Sequence, residues 1–169
     1  MSVTNAAHHV AAIVDLLDAA GATEWTPATP TVERYWDVAQ SEKGPGADQP
    51  GELYVWSPTT SSLEQFSMDG TRFDRTDSVE IQVWTLDETE ARQYQTDVTD
   101  ILSAYLDDNR VETPYSTVEP TGLNDFREQK TTRQTDHYVM SVEVDTRGLD
   151  PTGFTDEAVF EAVFDAGFA

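Results

Sequence analysis

From Ser78 the chain reads SVEIQVWT, and its alternation leaves little choice of structure. Val79, Ile81 and Val83 fall on one face, with Glu80, Gln82 and Trp84 on the other. A period of two is the signature of a strand packed on one side. Thr85 to Glu88 and Asp87 to Glu90 both have capping-box spacing, so a helix is expected to begin straight after the strand at one or the other. That helix, predicted over Thr89 to Asp108, carries Ala91, Tyr94, Val98, Ile101, Leu102, Tyr105 and Leu106 on one stripe and Asp, Glu, Gln and Thr on its other face.

The rest of the chain fits the same plan. Val10, Ile13, Val14 and Leu17 stand at i, i+3, i+4 and i+7, which predicts an N-terminal helix capped by Thr4 or Asn5 and stopped at Gly21. Ala22 to Pro30 reads as a connector, and Thr31 to Val38, Leu53 to Ser57 and Leu63 to Met68 read as strands. The Gly and Pro content of Ser41 to Gly51 predicts an exposed loop, and Asp69-Gly70 a turn. Thr117 to Gln129 and Thr135 to Thr146 should form an antiparallel hairpin around the tip Lys130 to Gln134. Phe154, Val159, Phe160, Val163 and Phe164 give the C-terminal tail helical spacing. The expected class is α+β: a mostly antiparallel sheet with two main helices packed on one face, a long β-hairpin and a short C-terminal helical tail. Residues 1–149 are read as one domain and 150–169 as an extension that serves as an interface segment.

Composition bounds the environment. The 169 residues include 32 Asp and Glu against 10 Lys and Arg, a formal net charge of −22, and only two of the bases are lysine. Such self-repulsion opposes the compact state in dilute buffer, but at molar salt the Debye length falls to about 3 Å. The acids are spread without a long like-charge run, which points to a solvated surface adapted to a salt-saturated cytoplasm. Double-stranded DNA would be repelled, since binding it requires Lys and Arg to displace counterions. The absence of cysteine removes disulfides and thiolate chemistry. No apolar run approaches the ~20 residues of a membrane span, and the first residues lack a signal peptide's basic region. The protein is therefore expected to be soluble and to remain in its cell unless it leaves within a particle.

The sequence offers little catalytic chemistry. His8 and His9 are adjacent, so on a helix they diverge by about 100° and cannot chelate one ion from one face. Asp69, Asp74 and Asp77 lack the spacing of a calcium loop and suit turn and hairpin duty. Nucleophile elbow, zincin helix, P-loop and dinucleotide fingerprint are all missing. His137, beside Tyr138 in the closing strand, is expected to face solvent or a subunit contact. No catalytic residue, metal ligand or cofactor is expected.

Arg127, Lys130, Arg133 and Arg147 bring local charge balance to the hairpin. They could pair across strands with Glu119, Glu128, Asp136 and Glu143, or they could meet an acidic surface on a neighbouring subunit. Interface candidates are thus Arg127, Lys130 and Arg133, together with Phe154, Val159, Phe160, Val163 and Phe164.

The order of elements, from the N-terminal helix through LYVWS, SVEIQVWT and the helix after Glu88 to the hairpin closing on TDHYVMSVEVDTRGL, resembles the tail terminator, or tail completion, proteins of long-tailed viruses. The resemblance covers roughly residues 5 to 148, and with the acidity it suggests a virus of halophilic archaea. It implies a homo-hexameric virion ring that caps the tail tube, ends its polymerisation and joins the tail to the head connector. The implied partners are further copies of the chain, the major tail tube protein and the head-tail connector, while genome DNA passes through without specific binding and no membrane is involved. Assembly would occur in the host cytoplasm. Another head-tail completion protein, or a host α+β domain that binds a ligand or protein, remains open.

Overall fold

The computed structural model describes residues 9–57, 62–65, 73–104, 117–125, 129–130 and 136–148. Helix α1 spans His9–Asp18, followed by strands β1 (Thr31–Arg34), β2 (Glu52–Trp56), β3 (Ser62–Gln65) and β4 (Phe73–Thr85). Helix α2 (Glu88–Ser103) precedes β5 (Thr117–Asp125), β6 (Gln129–Lys130) and β7 (Asp136–Gly148). The fold is α+β, with two helices and a mostly antiparallel sheet in the order β1-β2-β4-β7-β5; β3 adds to β4 and β6 to β7.

The alternation around Ser78 does what its period requires. Val79, Ile81 and Val83 are buried against α1 and α2 together with Leu53, Val55, Met140, Val142 and Val144 from the flanking strands. β4 pairs β7 from Arg75↔Gly148 to Thr85↔Tyr138, placing the two longest strands at the centre. Of the two possible caps the chain uses Asp87, whose Oδ1 accepts the Glu90 N–H at 2.9 Å. This satisfies one of the amides left free in the first helical turn. Ala91, Tyr94, Val98, Ile101 and Leu102 form the buried stripe; Tyr105 and Leu106 lie outside the described residues. In α1 the buried face includes Ala12 and Leu16 beside Val10, Ile13 and Leu17, which leaves Val14 at its margin.

Four local expectations are corrected. Thr31 to Val38 does not continue as a strand, because β1 ends at Arg34 and Tyr35–Asp37 coil into a 3-10 turn. β1 runs parallel to β2, and parallel neighbours need a long crossover. That crossover is residues 35–51, and it is only in part an exposed loop: Ser41, Glu42 and Ala47 to Gln49 are exposed, whereas Lys43, Gly44, Pro45 and Gly51 are buried. It folds over the sheet face opposite the helices and covers a second core of Tyr54, Trp84 and Val139, packed by Tyr35 and Val38. Trp84 is thus 2% exposed despite its place on the polar side of β4. His137 also lies under the crossover and is fully buried, facing neither solvent nor a subunit contact. Finally, the polar side of α2 is partly interior, since Gln95 and Asp97 are each 6% exposed.

Those interior polar groups tie the layers together. Asp97 accepts the Thr26 N–H at 2.7 Å and the Thr26 hydroxyl at 2.8 Å, holding the connector after α1 against α2. The Gln95 amide donates to the Ser141 carbonyl at 2.9 Å. The Tyr94 hydroxyl donates to the Ala28 carbonyl at 2.6 Å and accepts the Gly51 N–H at 3.3 Å, joining the start and end of the β1–β2 region to the helix. A buried polar group with partners costs little, and one without them costs several times a hydrogen bond's net worth.

Candidate functional site

Beneath the crossover, chemistry-bearing side chains converge and are consumed by structure. The Lys43 ammonium lies 4.0 Å from the centre of the Tyr35 ring and 5.4 Å from that of Tyr54, and it donates to the Val38 carbonyl. Burial lowers its pKa. The Tyr54 hydroxyl donates to Glu52, whose Oε2 also accepts the Gly44 N–H at 2.8 Å. Burial, then the bond to Glu52, pushes the Tyr54 phenol well above its usual range. His137 Nε2 lies 3.0 Å from the Pro45 carbonyl, an oxygen that can only accept, so the proton sits on Nε2. The Gly44–Glu52 and His137–Pro45 bonds and the Lys43 ammonium over the Tyr54 ring hold the crossover to the sheet, while the Lys43 contacts with Val38 and Tyr35 brace the crossover itself.

The exposed site is a cleft of about 280 Å³ at the β1 edge. Arg34 ends β1, Trp36 and Asp37 come from the 3-10 turn, Trp56 and Ser57 from the end of β2, and His9 from the start of α1. The turn sets its aromatic walls. Tyr35 stacks on Trp56 with ring centres 5.3 Å apart, while Trp36 stands edge-on to both, 4.9 Å from Tyr35 and 6.2 Å from Trp56. Trp36 is 78% exposed. A single exposed apolar residue is ordinary, but here an exposed indole stands beside a second indole and a cavity.

The electrostatics of the cleft are unusual for this chain. Arg34 is half-buried and makes no ion pair among the described residues, although acids outnumber bases more than threefold. By contrast, Arg92 on α2 is shared between Glu88 at 2.9 Å and Asp125 at 3.2 Å. His9 Nδ1 lies 3.6 Å from a carboxylate oxygen of the fully buried Asp77. The Ser57 hydroxyl donates to the Ser78 carbonyl at 2.8 Å and is not poised as a nucleophile. The cleft can seat an apolar or aromatic group between indoles while Arg34 meets an anion.

The predicted interface residues are not brought to this cleft by any described contact. Arg127, Arg133, Phe154, Val159, Phe160, Val163 and Phe164 lie outside the described residues. Lys130 is in β6, opposite Asp136. Of the acids considered as its hairpin partners, Glu143 accepts the Asn124 amide at 2.8 Å. His8 and Asp69 also lie outside the described residues, and Asp74 sits opposite Glu64 in the β3–β4 ladder. Asp77 is not a turn residue but a buried one. Arg34, Trp36 and Trp56 were not among the sequence candidates; the aromatic pair in RYWD was the available signal, masked by its reading as a strand.

Among the described residues no group of three or more His, Asp or Glu is placed to hold a metal ion, and no helix is long and apolar enough to cross a membrane. No protein-family model matches the chain, and a search of curated proteins returns no match.

Proposed function

We propose that this chain is a structural virion protein, a tail terminator whose ring caps the tail tube, ends its polymerisation and joins the tail to the head connector of a virus of halophilic archaea. The observation that carries this reading is the element order. A helix, three short strands, the long central strand, a capped helix and a closing antiparallel pair follow one another in the order that carries the resemblance to that family, with both helices on one sheet face. The buried polar groups support it by their use: Lys43, Glu52, Tyr54 and His137 are bound up in holding the crossover, which leaves contact as the role for the exposed surface.

A second feature suits a ring through which DNA passes. On the sheet face opposite the helices, Glu80 lies opposite Glu143, and Glu119 opposite Asp145. A surface of this sign repels phosphate and lets a duplex slide. The ring is tested by mass in solution at molar salt, alone and with purified tail tubes. A homo-hexamer, or one formed on the tubes, is the expected result; a monomer under both conditions would sink the proposal.

The cleft between Trp36 and Trp56 favours one other reading, a host domain that binds a ligand or protein. Gene neighbourhood separates the two, since flanking major tail, portal and tape-measure genes belong with a virion role and metabolic genes do not.

A further inference from the structure

We infer that the cleft formed by Arg34, Trp36 and Trp56 is one half of the contact between adjacent copies of this chain, and that the other half is the acidic, Phe-rich C-terminal segment 150–169 of the neighbouring copy. The inference rests on the ring proposed above and names its joint.

The cleft has three properties that a partner must answer. Trp36 is 78% exposed against a cavity of about 280 Å³. Arg34 makes no ion pair among the described residues. Trp56, a second lining indole, has its Nε1–H buried with no acceptor among the described residues, so its ring face and edge are what it offers. An occupant should therefore be apolar, aromatic and anionic at once.

The segment 150–169 has that chemistry. It contains Asp150, Asp156, Glu157, Glu161 and Asp165 and no Lys or Arg, so its charge is opposite to that of Arg34. Phe160, Val163 and Phe164 stand at i, i+3 and i+4, the spacing of one helix face suited to a groove. The cleft couples an arginine with no ion pair among the described residues to two indoles, and Arg and Trp are the residues that dominate contact energies.

Position agrees with chemistry. Trp56 lies opposite Glu80 and Gly148 opposite Arg75, so the segment departs from the same end of β4 on which the cleft opens, about 17 Å farther along the strand direction. A ring is closed by two unlike patches on each subunit meeting head to tail. Cleft and segment are such a pair.

The absence of cysteine makes the test clean. Asp37→Cys, at the cleft rim, and Ala162→Cys, beside Val163, are made in separate full-length chains, mixed at molar salt and oxidised. A covalent dimer that contains one chain of each kind, in clear excess over either chain alone, is expected. Adding Trp36→Ala to the Asp37→Cys chain should lower its yield by about tenfold, equivalent to about 1.4 kcal/mol, and Arg34→Glu should lower it too. Circular dichroism checks that each variant is folded. If the protein assembles to a ring by mass but no mixed dimer forms, the joint proposed here is wrong and the ring survives. If a chain that carries both Asp37→Cys and Ala162→Cys joins only within itself, the segment covers its own cleft and the contact between copies is ruled out. A monomer without cross-links removes both joint and ring.

Discussion

The ring of His137 lies so close to Gly44 that a Cβ on residue 44 would stand 2.6 Å from its Nε2, and Gly44 holds a φ of +94°. The pair explains how the crossover comes down on the sheet. Only a residue without a side chain can adopt that backbone and bring Pro45 within hydrogen-bonding distance of the imidazole.

Gly44→Ala should consequently be among the most damaging small substitutions. Left-handed backbone and overpacking together should cost about 2–4 kcal/mol. The reading is a lower urea midpoint at molar salt with an unchanged slope. An unchanged midpoint would mean that the crossover does not depend on this approach.

Tyr94→Phe keeps the packing against Trp25 but leaves the Gly51 N–H and the Ala28 carbonyl without the hydroxyl. A loss of about 1–3 kcal/mol is expected in the same urea assay. The variant also has a pH signature. Burial pushes the Tyr94 phenol up to about 12, above the ~10 of an unfolded tyrosine. The folded state keeps a proton that the unfolded chain gives up, so this contribution is whole below pH ~10 and drains away between about 10 and 12. Tyr54 acts in the same direction. Lys43, lowered by burial, has the opposite sign and favours folding as pH rises toward ~10.4. Stability against pH should fall less steeply above 10 in Tyr94→Phe than in the parent.

Asp97→Ala removes both bonds to Thr26 from a nearly buried position. Hydrogen bonds to a charged group contribute about 1.5–3 kcal/mol, and the melting temperature should drop by roughly 4–10 °C for a chain of this size. Arg92→Ala serves as the contrast. Its partners Glu88 and Asp125 are about half exposed, and such pairs are weak and screened, so melting at molar salt should not move.

Glu143→Gln should stabilise the protein in dilute buffer and do nothing in molar salt. Glu143 faces Glu80 across the central strand pair, and like charges so placed cost about 0.2–1 kcal/mol until salt screens them. Urea titrations at low and high salt, run side by side, measure the difference. A gain that persists at molar salt would show that repulsion is not its source.

Much of the architecture could be read from periodicity. The Val79/Ile81/Val83 alternation, the stripe from Ala91 to Leu102 and the Tyr138-to-Val144 strand are local patterns whose period is set by the backbone. Their burial follows because an apolar face must be covered. Loops lack that constraint. Ser41 to Gly51 has the composition of an exposed loop, yet Lys43 is 1% exposed because its ammonium finds the Val38 carbonyl and two aromatic rings. Which partners await a polar residue is a matter of contacts distant in sequence, as with Asp97 and Thr26, 71 positions apart.

The candidate site was less legible for the same reason. Trp36 stands at the start of the crossover and Trp56 at the end of the strand that follows it, and Arg34 is distinctive because it makes no ion pair among the described residues of so acidic a chain. By itself the sequence determined the dense negative charge, the α+β class, the central strand and the capped helix, since charge, period and capping are local properties. Only the tertiary structure decided that the crossover would bury a second core, that His137 would be interior and that two indoles would meet Arg34 in one cleft. Those outcomes depend on which distant groups can satisfy one another at hydrogen-bonding and van der Waals range.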